Sequence, residues 1–178
     1  MKPKLLIHTC CANCLCFTYK YFENDFELLP FWFNPNIHPY SEYKKRLDTL
    51  YVFQAKKNCS ILYDKTYDPK RWLLFTKEGW QNNNKNLRCK LCYKLRLERT
   101  AEKAKEVGIE NFTTTLLYSK YQFHDDVKNI GFEIANEYKL KFVYADLRVG
   151  WKEGIKISKE LGLYRQKYCG CIFSEIEF

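Results

Sequence analysis

Residues 4–16 read K-L-L-I-H-T-C-C-A-N-C-L-C, and the fold turns on this stretch. Lys4–His8 is a short apolar run of the kind that forms a strand buried on both faces. It passes within two residues into a segment with helical spacing, which is the opening strand–turn–helix of an α/β fold. In open α/β sheets the functional crevice lies beyond the carboxyl ends of the strands, where the strand order reverses. Nucleotide-binding sheets of this architecture place a glycine-rich phosphate loop at that first turn. This chain has no glycine there; the thiols of T-C-C-A-N-C-L-C, Cys10 and Cys11 first, occupy the turn instead. The crevice is therefore expected to hold a metal or cluster where a phosphate would otherwise sit.

Further apolar runs at Leu28–Phe33, Ser60–Asp64, Phe112–Leu117 and Lys141–Ala145 predict four more strands. Amphipathic stretches separate them, so the pattern is α/β with a parallel sheet. Pro39 can open a helix at its first position, with Tyr40, Tyr43, Leu47 and Leu50 on one face. Phe123, Val127, Ile130 and Ile134 repeat that spacing, as do Trp151, Ile155 and Ser158 ahead of Gly162. The clearest helix runs from Cys89 to Val107: Tyr93, Leu97, Ala101 and Ala104 form its buried stripe, and Gly108 can cap it. Asn-rich residues 81–87 are too polar for a core and are read as a mobile loop beside Cys89.

Six of the nine cysteines fall in three pairs, Cys10–Cys11, Cys89/Cys92 and Cys169/Cys171. The chain has no apolar run near the roughly 20 residues that span a bilayer. Its basic start leads into too few apolar residues for a signal peptide. The reading is a cytoplasmic protein with no membrane partner. In a reducing compartment clustered thiols bind metal or do catalysis more often than they form disulfides, and nine thiols cannot all pair internally. Spacing alone leaves three chemistries open: iron–sulfur ligation, zinc and thiol redox. Cys59 and Cys16 read as core residues, whereas Cys14 is close enough in sequence to Cys11 to reach the same site.

At 178 residues the chain is long enough for one well-packed domain, taken as 1–178. Lys and Arg number 30 against 21 Asp and Glu, a formal charge of +9. That excess suits a polyanion such as nucleic acid, or simply a solvated basic surface. Basic and aromatic residues mix at Tyr40–Arg46 and again at Leu163–Cys171, where Arg and Lys can hold phosphates and tyrosines can stack on unpaired bases. His8 ends the first strand beside the thiols. Asp64 and Asp146 end the third and fifth, where each can ligate iron, relay a proton or cap a helix.

Taken in order along nearly the whole chain, H-T-C-C-A-N-C (8–14), N-P-N-I-H-P-Y-S-E-Y (34–43), R-C-K-L-C-Y (88–93), T-T-T-L-L-Y-S (113–119), D-L-R-V-G-W (146–151) and Y-R-Q-K-Y-C-G-C (164–171) resemble the cobalamin-independent epoxyqueuosine reductases of the QueH type. Asn13 stands where that pattern commonly has proline. The resemblance implies a Rossmann-like parallel sheet of the adenine-nucleotide α-hydrolase (HUP) type in a single domain. It implies the last step of queuosine biosynthesis, the reductive deoxygenation of the epoxide of epoxyqueuosine in tRNA. It also implies an iron–sulfur centre, a [4Fe–4S] cluster, at Cys10, Cys11, Cys89, Cys92, Cys169 and Cys171; six thiols are too many for one four-iron cluster, so a spare pair can hold an additional mononuclear iron or do redox work. That reaction consumes two electrons and two protons, and zinc has no redox chemistry, so iron is the expected working metal. Tyr118, Tyr164 and His8 are the candidate proton donors, with metal-bound water as the alternative. Arg88, Arg96, Arg148, Arg165 and Lys167 are the candidate phosphate holders. An electron donor of unidentified nature would complete the system. Two rivals stand beside this reading: a zinc-stabilised RNA-binding module and a thiol-based sulfur-transfer or redox enzyme on the same fold.

Overall fold

The computed structural model describes residues 2–176. Five strands form one sheet: β1 (Lys4–His8), β2 (Glu27–Trp32), β3 (Leu62–Tyr63), β4 (Asn111–Thr114) and β5 (Lys141–Phe142). They lie in the order β3-β2-β1-β4-β5 and every pairing is parallel, a Rossmann-like arrangement. β1 is central, with Leu6 in register with Leu29 on one side and Phe112 on the other. Leu5, Leu6 and Ile7 are fully buried, which explains why this strand reads as one apolar run.

The helices are α1 (Ala12–Phe22), α2 (Tyr40–Lys57), α3 (Pro69–Phe75), α4 (Lys77–Gln81), α5 (Lys85–Glu106), α6 (His124–Tyr138), α7 (Trp151–Glu160) and α8 (Ile172–Ile176). The chain leaves β1 toward β2 and later returns to the other side of β1 at β4. Right-handed crossovers then put α1 and α2 on one face of the sheet and α5 and α6 on the other. α7 packs on α1, and α3 and α4 pack on α5. The order reverses between β1 and β4, so the carboxyl ends of these two strands open the switch-point crevice.

Several boundaries differ from those expected. β3 and β5 are two residues each, because the chain peels away after Tyr63 and Phe142. β4 stops at Thr114, where the Thr114 hydroxyl accepts from the Leu116 amide and starts a 3-10 turn over Thr115–Tyr118. Pro39 is the N-cap of α2, one position before the helix, so the residue at N1 is Tyr40. α5 begins four residues ahead of Cys89, because Asn84 accepts from the Leu87 amide as N-cap. Residues 81–87 are thus the end of α4, a turn and the first residues of α5. Asp68 and Pro69 start a helix that the apolar spacing did not suggest. Gly108 and Gly162 both take the left-handed conformation after their helices, at φ 68° and 61°. No helix among the described residues is long and apolar enough to cross a membrane.

His38 ties the C-terminal segment to this frame. Its amide donates to Gly170 O at 2.7 Å, and its Nδ1 accepts from the Ile172 amide at 3.4 Å. Burial holds its pKa down to about 4. In the unfolded chain the imidazole protonates near pH 6.5, so the folded state loses stability as pH falls below 6.5 toward 4 and keeps it above. A His38→Gln variant is expected to lose about 1–2 kcal/mol less than wild type between pH 7 and pH 4.5, read from denaturant midpoints. An unchanged pH slope would show that His38 does not set it.

Candidate thiol centre at the switch point

Cys11 caps α1. Its backbone is extended, and its Sγ accepts from the Cys14 amide at 3.3 Å. A sulfur at a helix N-terminus faces the positive end of the helix dipole and the free amides of the first turn, which favour a thiolate. One helical turn brings Cys14 Sγ to 3.0 Å from Cys11 Sγ, and Cys10 Sγ lies 3.8 Å from Cys11 Sγ. The three sulfurs lie within 4.8 Å of one another and can bind a metal ion. Thr115 Oγ1 donates to Cys10 Sγ at 3.2 Å while accepting from its amide at 3.0 Å, and Gln166 Nε2 donates to Cys11 Sγ at 2.9 Å.

Three thiols this close share their protons unequally. Hydrogen bonds from Cys11 and then Cys14 hold Cys10 well below the usual thiol range. Burial pushes Cys11 up, and the hydrogen bond with Cys10 pushes Cys14 up. Binding a cation releases the remaining protons and makes all three sulfurs ligands.

The other two pairs form a second group. Cys89 and Cys92 lie at i and i+3 in the first two turns of α5, and both feel the charge of Cys169. Cys169 in turn is held well below the thiol range by a hydrogen bond from Cys171, which is itself pushed up by that bond. Burial raises Cys89 to about 12, and it also raises Cys92, whose sulfur accepts from the indole Nε1 of Trp72 at 3.3 Å. The nine cysteines are all free thiols.

A cavity of about 220 Å³ opens between the groups, and Cys10, Cys14 and Cys169 all line it. Its walls are cationic and aromatic, with Arg46, Arg96, Arg165 and Lys167 on one hand and Tyr118, Tyr121 and Trp151 on the other. Arg96 is only 3% exposed; its Nε donates to Cys92 O, and its charge acts on Cys10, Cys92 and Cys169 together. A buried guanidinium amid thiols offsets the negative charge that ionised sulfurs bring.

Arg46 fixes the terminal pair. Its Nε donates to Glu42 Oε1 at 2.7 Å, Nη1 to Cys169 O at 2.9 Å and Nη2 to Tyr168 O at 3.0 Å. Gly170 turns beside it at φ 126°, and an added Cβ there would sit 3.0 Å from Arg46 Nη1. Asn13 makes a second tie: its Nδ2 donates to Tyr164 O and to Gln166 Oε1, and its Oδ1 accepts from Ser158 Oγ. A proline at that position could make none of these bonds; here the amide holds residues 164–166.

The candidate residues read from the sequence scatter differently. Tyr118 lines the cavity, buried, with its hydroxyl donating to Trp151 O at 3.0 Å. Tyr164 is 40% exposed, its hydroxyl donates to Glu42 Oε2 at 2.8 Å, and it is not among the residues that line the cavity. His8 is fully buried, with Nδ1 2.9 Å from Thr114 Oγ1 and Nε2 3.3 Å from Phe33 O. Burial and then Arg96 hold it neutral, at about 3. Asp64 pairs with Arg99 and Asp146 with Arg148, so both carboxylates are spent on arginines. Among the five basic candidates, Arg96, Arg165 and Lys167 reach the cavity, whereas Arg88 is buried over the Phe173 ring. In the run Tyr40–Arg46, Glu42, Tyr43 and Arg46 face inward. Arg46 and Gln166 lie in runs read as basic–aromatic, and Asn13 in the first cysteine motif, but their part in holding the thiol segments is not legible in the sequence, because each acts through a partner more than 100 positions away.

The family model for "Epoxyqueuosine reductase QueH" matches residues 5–177 of this chain. Among similar proteins are the epoxyqueuosine reductase QueH of Thermotoga maritima, 38% identical over 97% of this chain and 91% of its own length, and that of Dehalococcoides mccartyi, 37% identical over 99% and 95%. The Haemophilus influenzae protein of the same name is 34% identical over 96% of this chain and 71% of its own.

Proposed function

Because the chain belongs to the epoxyqueuosine reductase QueH family, we propose that it is the oxidoreductase that converts epoxyqueuosine in tRNA to queuosine, the final step of queuosine biosynthesis. The observation that carries this reading is the meeting of Cys10, Cys11 and Cys14 within 4.8 Å at one wall of a cationic, aromatic cavity. The overall change is loss of the epoxide oxygen as water with uptake of two electrons and two protons, leaving a carbon–carbon double bond.

Sulfurs at a helix N-terminus that ionise on metal binding, with arginines to offset their charge, fit an iron–sulfur centre better than a hard cation. The ligands would be Cys10, Cys11, Cys89, Cys92, Cys169 and Cys171, with Cys14 added on its distance to Cys11. Seven sulfurs exceed the four of a [4Fe–4S] cluster, which leaves thiols for a further iron. Bound iron would supply the electrons, drawn from a separate donor, that the reduction consumes. The chain's own side chains do the rest. Arg165 and Lys167 form no ion pair among the described residues and are available to RNA phosphates at the mouth. Arg46 and Asn13 hold the segment that carries Cys169. Of the three proton-donor candidates, Tyr118 is the one at the cavity wall. The zinc-stabilised RNA-binding and sulfur-transfer readings lack a source for the two electrons or an account of the family membership. We place the protein in the cytoplasm, where its tRNA substrate is, as one domain over 1–178; mobility of 81–87 next to Cys89 belongs to the same proposal.

The test is conversion: reduced, anaerobically purified protein incubated with tRNA containing epoxyqueuosine, followed by nucleoside analysis. Queuosine is the expected product, and its absence with iron-loaded protein overturns the assignment. Gly154 gives a finer check on Tyr118. An added Cβ at Gly154 would sit 2.4 Å from the Tyr118 hydroxyl oxygen, so Gly154→Ala must displace that group. Turnover is expected to drop by about 10- to 100-fold, given what a positioned proton donor contributes. Iron content should stay at the wild-type level. Unchanged turnover would remove Tyr118 from the role.

A further inference from the structure

Gln122 lines the cavity in the turn between the Thr115–Tyr118 segment and α6. Its amide orientation is fixed by a neighbour. Tyr93 is 1% exposed, and its hydroxyl oxygen accepts from the Phe123 amide at 3.2 Å. The phenolic hydrogen must then find an acceptor, and Gln122 Oε1 lies 2.8 Å away. With its oxygen held by Tyr93, Gln122 has its Nε2 hydrogens unpartnered among the described residues. Immediately before it, Tyr121 is 73% exposed and packs edge-on against Trp151, with ring centroids 5.6 Å apart at 75°. A fixed two-hydrogen donor beside an exposed phenol ring at a cationic cavity is the equipment for holding one unstacked nucleobase.

We propose that Tyr121 and Gln122 form a nucleoside subsite, in which the Tyr121 ring stacks on the splayed-out base and Gln122 Nε2 donates to an oxygen acceptor of that nucleoside. The inference rests on the tRNA substrate of the proposed function and adds which residues discriminate the base. Two oxygens can serve, the ring carbonyl of a guanine-type base or an oxygen of its side-chain ring. Neither a phosphate nor a ribose would require a donor of fixed orientation.

Three labelled anticodon stem-loops decide it, carrying epoxyqueuosine, guanosine or an abasic site at the wobble position, with binding followed by fluorescence anisotropy. Gln122→Glu keeps the acceptor for Tyr93 and removes the cavity-facing donor. It is expected to weaken binding of the epoxyqueuosine stem-loop about tenfold relative to the abasic one. If guanosine suffers equally the contact is to the base carbonyl; if only epoxyqueuosine suffers, it is to the side-chain ring. Tyr121→Ala, at an exposed position that folding does not need, should weaken both base-containing stem-loops about tenfold and leave the abasic one unchanged. Unchanged affinities, or equal losses on all three as simple charge repulsion would give, overturn the subsite. Conversion of epoxyqueuosine tRNA by the wild-type protein is assayed alongside, so a failure of the proposed reaction is read separately from these ratios.

Discussion

An Arg46→Ala variant is expected to melt about 6–20 °C below wild type and to retain little iron. The guanidinium is 3% exposed and joins three things: the Glu42 carboxylate, the Cys169 carbonyl and the Tyr168 carbonyl. Removing it leaves Glu42, 7% exposed, with the Tyr164 hydroxyl as its remaining hydrogen-bond donor. Breaking a buried pair from one side costs about 3–5 kcal/mol. In a domain of this size each kcal/mol is about 2–4 °C in melting temperature. The same change frees two carbonyls in the segment that presents Cys169 and Cys171, so ligand assembly suffers along with stability. Arg46→Lys should recover only part of either, because an ammonium cannot bridge a carboxylate and two carbonyls in one fixed fork. Calorimetry and iron analysis of the anaerobically purified variants check both halves. Wild-type values for Arg46→Ala in both measurements would mean that the C-terminal segment is held by something else.

The largest effect on turnover is expected at the thiols. Alanine at Cys10, Cys11 or Cys14 should lower bound iron and cut turnover by more than about a hundredfold, since loss even of groups that merely support a ligand costs 10- to 100-fold. The same is expected at Cys89, Cys92, Cys169 and Cys171. Cys16, whose thiol donates to Ala12 O at 3.3 Å on the core side of α1, and Cys59, which precedes β3 and so lies toward the amino-terminal edge of the parallel sheet, are the controls. Full iron content in Cys10→Ala together with loss in Cys59→Ala would be incompatible with the proposed centre.

Much of the frame could be read from the sequence, for a simple reason. A central parallel strand is buried on both sides, so Leu5–Ile7 had to be apolar, and the switch point then placed the first cysteines. The stripe Tyr93, Leu97, Ala101 and Ala104 is buried as the helical period requires. The ends of elements were less legible. Asn84 and Asp68 act through single cap hydrogen bonds, which apolar spacing does not register. Within the site, the cysteine pairs announced themselves by type and spacing. Cys14 was weaker in the sequence than it is in space, because only the turn of α1 brings its sulfur to Cys11. His8 looked well placed at a strand end, yet both ring nitrogens point into the sheet, toward Thr114 and Phe33. Arg46 looked like part of a charged surface and is instead the buried clasp of a loop 122 to 123 positions later in the chain.

In the proposed centre, cysteines from the start, middle and end of the chain gather around iron at the end of β1. Anomalous diffraction from anaerobic crystals, recorded on both sides of the iron and zinc absorption edges, tests it directly. Iron peaks are expected in bonding contact with sulfurs of the Cys10–Cys11–Cys14 group and of the Cys89, Cys92, Cys169 and Cys171 group. Zinc peaks alone, or iron bound away from these sulfurs, would contradict it.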